Sequence, residues 1–106
     1  IYIYSNIQAL DGHGIDTGVT IAGIVGSAGN ANNQFNLPWH IFLDANNTLY
    51  VPDRNNHRVQ KWLYGASSGT TIAGTGTSGS AANQLDNPLA VFVDNSNMYV
   101  ADGNNN

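Results

Sequence analysis

The sequence predicts an all-β chain: two four-stranded antiparallel blades of a β-propeller, the last blade lacking its outer strand. Three observations predict it. The chain repeats itself about fifty residues on, a spacing that belongs to propeller blades and related arrays. Its apolar residues fall in short β-branched and aromatic runs bounded by Gly, Asn and Pro. No window carries the 3.6-residue period of an amphipathic helix.

The repeat is dense enough to phase the elements. Ile21-Ala22-Gly23 returns as Ile72-Ala73-Gly74, Asn33-Gln34-Phe35 as Asn83-Gln84-Leu85, and Pro38 as Pro88. Phe42-Leu43-Asp44 returns as Phe92-Val93-Asp94, Leu49-Tyr50-Val51 as Met98-Tyr99-Val100, and Asp53 with Asn55-Asn56 as Asp102 with Asn104-Asn105. The offset narrows from 51 to 49, which places single-residue deletions in loops.

In chain order, residues 1–4 read as a strand, followed by a loop through Asp11-Gly12-His13-Gly14. Residues 19–22 form the next strand, closed by Gly23, and a glycine-rich loop runs on to Pro38. Residues 41–43 end at Asp44, and Asn46-Asn47 turns the chain into 49–51, which Pro52 and Asp53 close. A turn over 54–57 leads to the strand at 59–63, and the pattern restarts at 70–73, 90–93 and 98–101. Grouped by the repeat, residues 1–18 are an orphan outer strand and linker, 19–63 the first blade, and 64–106 an incomplete second blade. Two blades cannot close a ring in one molecule, and the missing strand leaves an edge open to pairing. The sequence therefore reads as a segment of a longer propeller. If the chain is complete, three copies exchanging strands would make six blades as a homotrimer.

Composition excludes several classes. Charged residues are 9% of the chain, the net charge is −4, and the basic residues are Arg54, Arg58 and Lys61 alone. No face can carry the several cations that phosphate contacts need, so a nucleic-acid partner is not expected. No apolar stretch approaches the roughly 18 residues of a spanning helix, and no membrane partner is expected. With no cysteine there is no disulfide, zinc-thiolate or thiol nucleophile. The compartment is not readable.

The run Gln34-Phe35-Asn36-Leu37-Pro38-Trp39-His40-Ile41-Phe42-Leu43-Asp44, followed by Leu49-Tyr50-Val51-Pro52-Asp53-Arg54-Asn55-Asn56-His57-Arg58-Val59-Gln60-Lys61-Trp62, resembles the NHL repeat. A second copy matches from 72 to 105 without the Arg-Val-Gln-Lys-Trp end. The resemblance implies a propeller, most often of six blades. Leu43, Tyr50 and Val59 fit buried strand positions, Asp44 and Asp53 fit turn-closing carboxylates, and Arg58 fits a partner for one of them. The family spans unlike functions. Its amidating-lyase branch is expected to hold zinc with a histidine directly after the repeat's Pro. Here Trp39 and Leu89 stand there and His40 is one step off, which on a strand is the opposite face. The lyase role is not carried over.

Other motifs dissolve into loops. Gly74-Thr75-Gly76-Thr77-Ser78-Gly79 spells a dinucleotide fingerprint, but no helix follows to hold a pyrophosphate. Gly65-Ala66-Ser67-Ser68-Gly69 spells a hydrolase elbow, yet it joins strand to strand. Asp44 to Thr48 starts like a calcium loop, but Leu49 replaces the turn glycine and the chain has no glutamate. His13, His40 and His57 lie in scattered loops without zinc spacing. No catalytic residue, metal site or cofactor is assigned. Asn46-Asn47-Thr48 is a glycosylation sequon, with Asn46 as acceptor if the protein is secreted.

Two functions follow. The first is a non-enzymatic propeller segment that binds a protein or peptide through its loops, with Trp39, His40 and Arg54 as candidate binding residues. The second is part of a metal-dependent propeller enzyme, amidating-lyase-like or hydrolytic.

Overall fold

The predicted apolar runs from residue 19 onward pair with neighbours that set the architecture, and a further strand forms at Asn6–Ala9, where the sequence reading placed a loop. The computed structural model describes residues 5–9 and 19–104. Among these, eight strands form: β1 Asn6–Ala9, β2 Val19–Gly23, β3 Phe42–Leu43, β4 Leu49–Asp53, β5 Arg58–Trp62, β6 Thr70–Gly74, β7 Pro88–Asp94 and β8 Asn97–Asp102. The turn over 54–57 tightens into a 3-10 turn at Arg54–Asn56, closed by His57 in the left-handed conformation. The predicted strand at 1–4 lies outside the described residues, as do His13 and Asn105.

Every sheet is antiparallel. β3-β4-β5-β6 make one four-stranded sheet, flanked by the two-stranded sheets β1-β2 and β7-β8. This corrects the strand grouping read from the repeat. The strand at 19–22 was expected to open the sheet that 41–63 continue; it pairs instead with β1. Likewise β6 closes the sheet of β3, β4 and β5, and β7-β8 stand as a pair. The sequence units 19–63 and 64–106 thus begin one strand ahead of the sheets. The reason lies in the connections. A short loop at 63–69 folds β6 back onto β5, whereas the long glycine-rich loops carry the chain on to the next sheet.

Gly74 shows why β6 belongs there. It pairs with Arg58 at φ +82°, and a Cβ would strike the His57 carbonyl oxygen and the Arg58 Cα. Gly23 repeats this at φ +81° against the Ser5 carbonyl oxygen. Only glycine sits comfortably in this backbone conformation. Gly74→Ala is therefore expected to cost at least about 2 kcal/mol, read as a lower denaturation midpoint.

The core lies between sheets. Ala22, Phe35, Leu49, Val51 and Trp62 cluster with Ile7 and join the β1-β2 pair to the four-stranded sheet. On its other side, Tyr50, Val59 and Val91 cluster with Phe42, Ala73, Leu85, Val93, Met98 and Val100. Every residue of β4 is buried, because alternate side chains feed the two clusters. Tyr50 and Val59 are buried as expected, but Leu43 is 54% exposed. It lies over an open apolar cleft with Ile21, Leu49, Trp62, Leu63 and Tyr64, and no side chain of the described residues covers it.

Candidate functional site

The chain turns sharply at the Asp53 end of β4, and there the sequence's candidate residues meet. Pro38 bridges Asp53, and the Trp39 N–H donates to the Pro52 carbonyl at 3.0 Å. The His40 N–H donates to the Leu89 carbonyl at 3.1 Å, in a parallel bridge to Ala90. Trp39 and His40 are thereby pinned between the four-stranded sheet and the β7-β8 pair. Arg54, the first residue after β4, folds back over them.

The result is a three-layer stack. The Arg54 guanidinium carbon lies 5.3 Å from the Trp39 ring centroid. The Trp39 and His40 rings lie 6.1 Å apart at an interplanar angle of 13°. Trp39 is 38% exposed, His40 is exposed and Arg54 half-buried. Among the described residues the buried Arg54 Nε has no hydrogen-bond partner, so the ring beneath is its principal contact. A cation over the face of an indole is attracted by the ring quadrupole, by about 0.5–1 kcal/mol at exposed sites. Trp39, His40 and Arg54 are therefore gathered into one surface, a juxtaposition that sequence spacing could only suggest.

A buried polar network holds this surface from beneath. Asp53, fully buried, accepts from the Asn36 N–H at 2.8 Å, from Asn56 Nδ2 at 2.8 Å and from Arg58 Nε at 2.9 Å. Arg58 also donates to the carbonyls of Asn30, Ala31 and Gln34 at 3.1, 2.9 and 2.9 Å. Asn56 reaches the Gly29 carbonyl at 2.8 Å. Four backbone acceptors of the glycine-rich loop are thus tied to β5 and the 3-10 turn. Burial pushes the Asp53 carboxyl above the usual aspartate value, against the downward pull of Asn56, the Asn36 N–H and Arg58. The second repeat keeps the backbone part of the network, where the Asp86 N–H donates to Asp102 at 2.7 Å.

The remaining predicted residues have structural places. Asp44 accepts from the N–H groups of Asn46 and Thr48 at 2.8 and 2.9 Å and closes the turn. Burial first, and then the Asp44 carboxylate, push the nearby Tyr50 hydroxyl up. Asn46 is exposed in that turn, while Thr48 of its sequon is buried. His57 is not brought to His40. Its Nδ1 accepts the Asn87 N–H at 3.0 Å and links two sheets, a contact that no sequence motif signals. Among the described residues no three His, Cys, Asp or Glu side chains gather as a metal cluster. The glycine motifs at 65–69 and 74–79 follow strands and lead to no helix.

No curated protein matches the chain. A family model described as the NHL repeat matches residues 35–62, the segment from Phe35 through the stack and the Asp53–Arg58 pair to Trp62. That segment is an NHL repeat.

Proposed function

We propose that the chain is a non-enzymatic propeller segment that binds a protein or peptide through the Trp39, His40 and Arg54 surface. A single observation carries the reading: the exposed Trp39 and His40 rings, with their backbone pinned by hydrogen bonds, stack with each other, and the half-buried Arg54 guanidinium lies over Trp39. Pre-ordered Trp and Arg lose little entropy on binding, which is why they dominate interface energetics. The fitting partner brings a carboxylate to the guanidinium and an apolar or aromatic group to the exposed ring.

Panning a displayed peptide library on the chain tests this. Binders are expected, with affinity lowered about thirtyfold by Trp39→Ala or Arg54→Ala, as befits a hot-spot loss of about 2 kcal/mol. Leu63→Ser, on an exposed apolar position elsewhere, should leave affinity unchanged. Binders indifferent to the first two variants would remove the stack from the function. The metal-dependent enzyme remains the competing reading, and zinc or calcium at one equivalent by elemental analysis would favour it.

A further inference from the structure

A polar cleft separate from the stack opens beside the turn that follows β6. It has a volume of about 330 Å3 and is walled by Asn30, Asn56, Arg58, Thr71 and the turn Thr75-Gly76-Thr77. Trp39, His40 and Arg54 take no part in it. Its size falls at the lower end of small-molecule sites, roughly 300–1,000 Å3. The repeat does not require the hydroxyls of this turn. After Gly23 the first copy continues Ile24-Val25-Gly26, whereas after Gly74 the second has Thr75-Gly76-Thr77. The turn also holds its own shape. The Thr75 hydroxyl accepts the Thr77 N–H at 3.3 Å and donates to the Thr77 carbonyl at 3.2 Å.

The hydrogen-bonding groups left over in the lining define what the cleft can hold. A guanidinium has five N–H donors. Arg58 gives four of them to Asp53 and to the carbonyls of Asn30, Ala31 and Gln34, which leaves one N–H on Nη1. Asn56 gives both Nδ2 protons to the Gly29 carbonyl and Asp53, which leaves its Oδ1 without a partner among the described residues. Thr71 donates its hydroxyl proton to Gln60 Oε1 and keeps its lone pairs. The Asn30 side-chain amide and the Thr77 hydroxyl have no partner among the described residues, and each can both donate and accept. Arg58 is the one charged side chain of the lining, and the buried Asp53 carboxylate at 2.9 Å balances it.

We propose that this cleft binds a neutral polyhydroxylated molecule, the ring of a sugar. A hydroxyl group both donates and accepts, which answers a lining that offers both and carries no unbalanced charge. An anion only accepts. It would find the Arg58 charge already met by Asp53 and would face the lone pairs of Asn56 Oδ1. A cation only donates and would meet the guanidinium. An apolar ligand would bury both groups unpaired, at the cost of their hydration. Arg58 and Asn56 are buried and form the floor, where Nη1 donates to a ligand hydroxyl and Oδ1 accepts from one. Asn30 and Thr77 are exposed and engage the hydroxyls at the mouth. No aromatic side chain lines the cleft to stack on a sugar ring, so the expected dissociation constant is millimolar.

Titration of the isotope-labelled chain with glucose, galactose and mannose, each followed by amide NMR shifts, tests this. At least one hexose is expected to give saturable shifts at Thr75, Gly76, Thr77 and the Asn56 side-chain amide. Thr77→Val and Asn30→Ala each remove an exposed, unpartnered polar group, so the fold should be kept while affinity falls about fivefold, the loss of one neutral hydrogen bond. Trp39→Ala should leave hexose affinity unchanged, which separates this site from the stack. Sodium phosphate, cyclohexanol and N-methylacetamide stand for an anion, an apolar ring and a peptide group, and none is expected to match the hexose. The proposal is overturned if no hexose shifts these signals, or if one of the three other probes binds there as well as the hexoses do. Hexose affinity indifferent to Thr77→Val and Asn30→Ala, or lowered by Trp39→Ala, overturns it equally.

Discussion

Replacing Arg58 with methionine is expected to destabilise the chain by about 3–5 kcal/mol, the cost of stranding one member of a buried ion pair. The Asp53 carboxylate would keep its burial and lose the guanidinium at 2.9 Å, while three loop carbonyls would lose their donor. The paired change Asp53→Asn with Arg58→Met removes both charges and should cost less than Arg58→Met alone, a non-additivity that a double-mutant cycle reads directly. The loss should also depend on pH. Burial already raises the Asp53 carboxyl, and Arg58 is among the groups that hold it down. Without Arg58 it rises further. A carboxyl with a folded-state value above its unfolded one binds protons more tightly when folded, so stability falls as pH rises through that value. Arg58→Met should therefore be less impaired near the ordinary aspartate range than at neutral pH. Denaturation midpoints at the two conditions check this, and an impairment independent of pH would mean that Asp53 stays ionised throughout.

Phe35→Ala is expected to cost about 3–5 kcal/mol, the range for emptying a fully buried aromatic site. Phe35 has no exposed surface and stands with its ring 5.4 Å from that of Trp62, tying the glycine-rich loop to the junction of the first two sheets. The cavity cannot collapse easily, since Gly23 and the loop are held by their own backbone bonds. Leu85 is its repeat partner but only half-buried, and Leu85→Ala should cost clearly less. Thermal unfolding followed by tryptophan fluorescence compares the two. Equal losses would mean that the second site is as closed as the first.

The candidate surface was half legible in the sequence. Trp39, His40 and Arg54 were recognisable as large binding-prone side chains in loops. Their stacking was not, because it depends on Pro38 bridging Asp53 and on Leu89 receiving the His40 N–H from another sheet. Leu43 fits the alternation of buried strand positions, yet it is 54% exposed. Alternation reports which face a side chain takes, and cannot report whether another sheet lies there.

The strand positions from residue 19 onward, the turn carboxylates and the glycines at 23 and 74 were determined by the sequence itself, whereas β1 at Asn6–Ala9 fell in a stretch that reads as loop. Each answers to a local constraint: β-branched runs extend, Asp closes turns, and only Gly accepts a positive φ beside a carbonyl. The phase of the sheets was decided by the tertiary structure alone. A repeat of about fifty residues reads the same wherever its unit is cut. Only the backbone pairing of β6 with β5, and of β2 with β1, says where one sheet ends and the next begins. That pairing is a contact between segments, and no residue carries it alone.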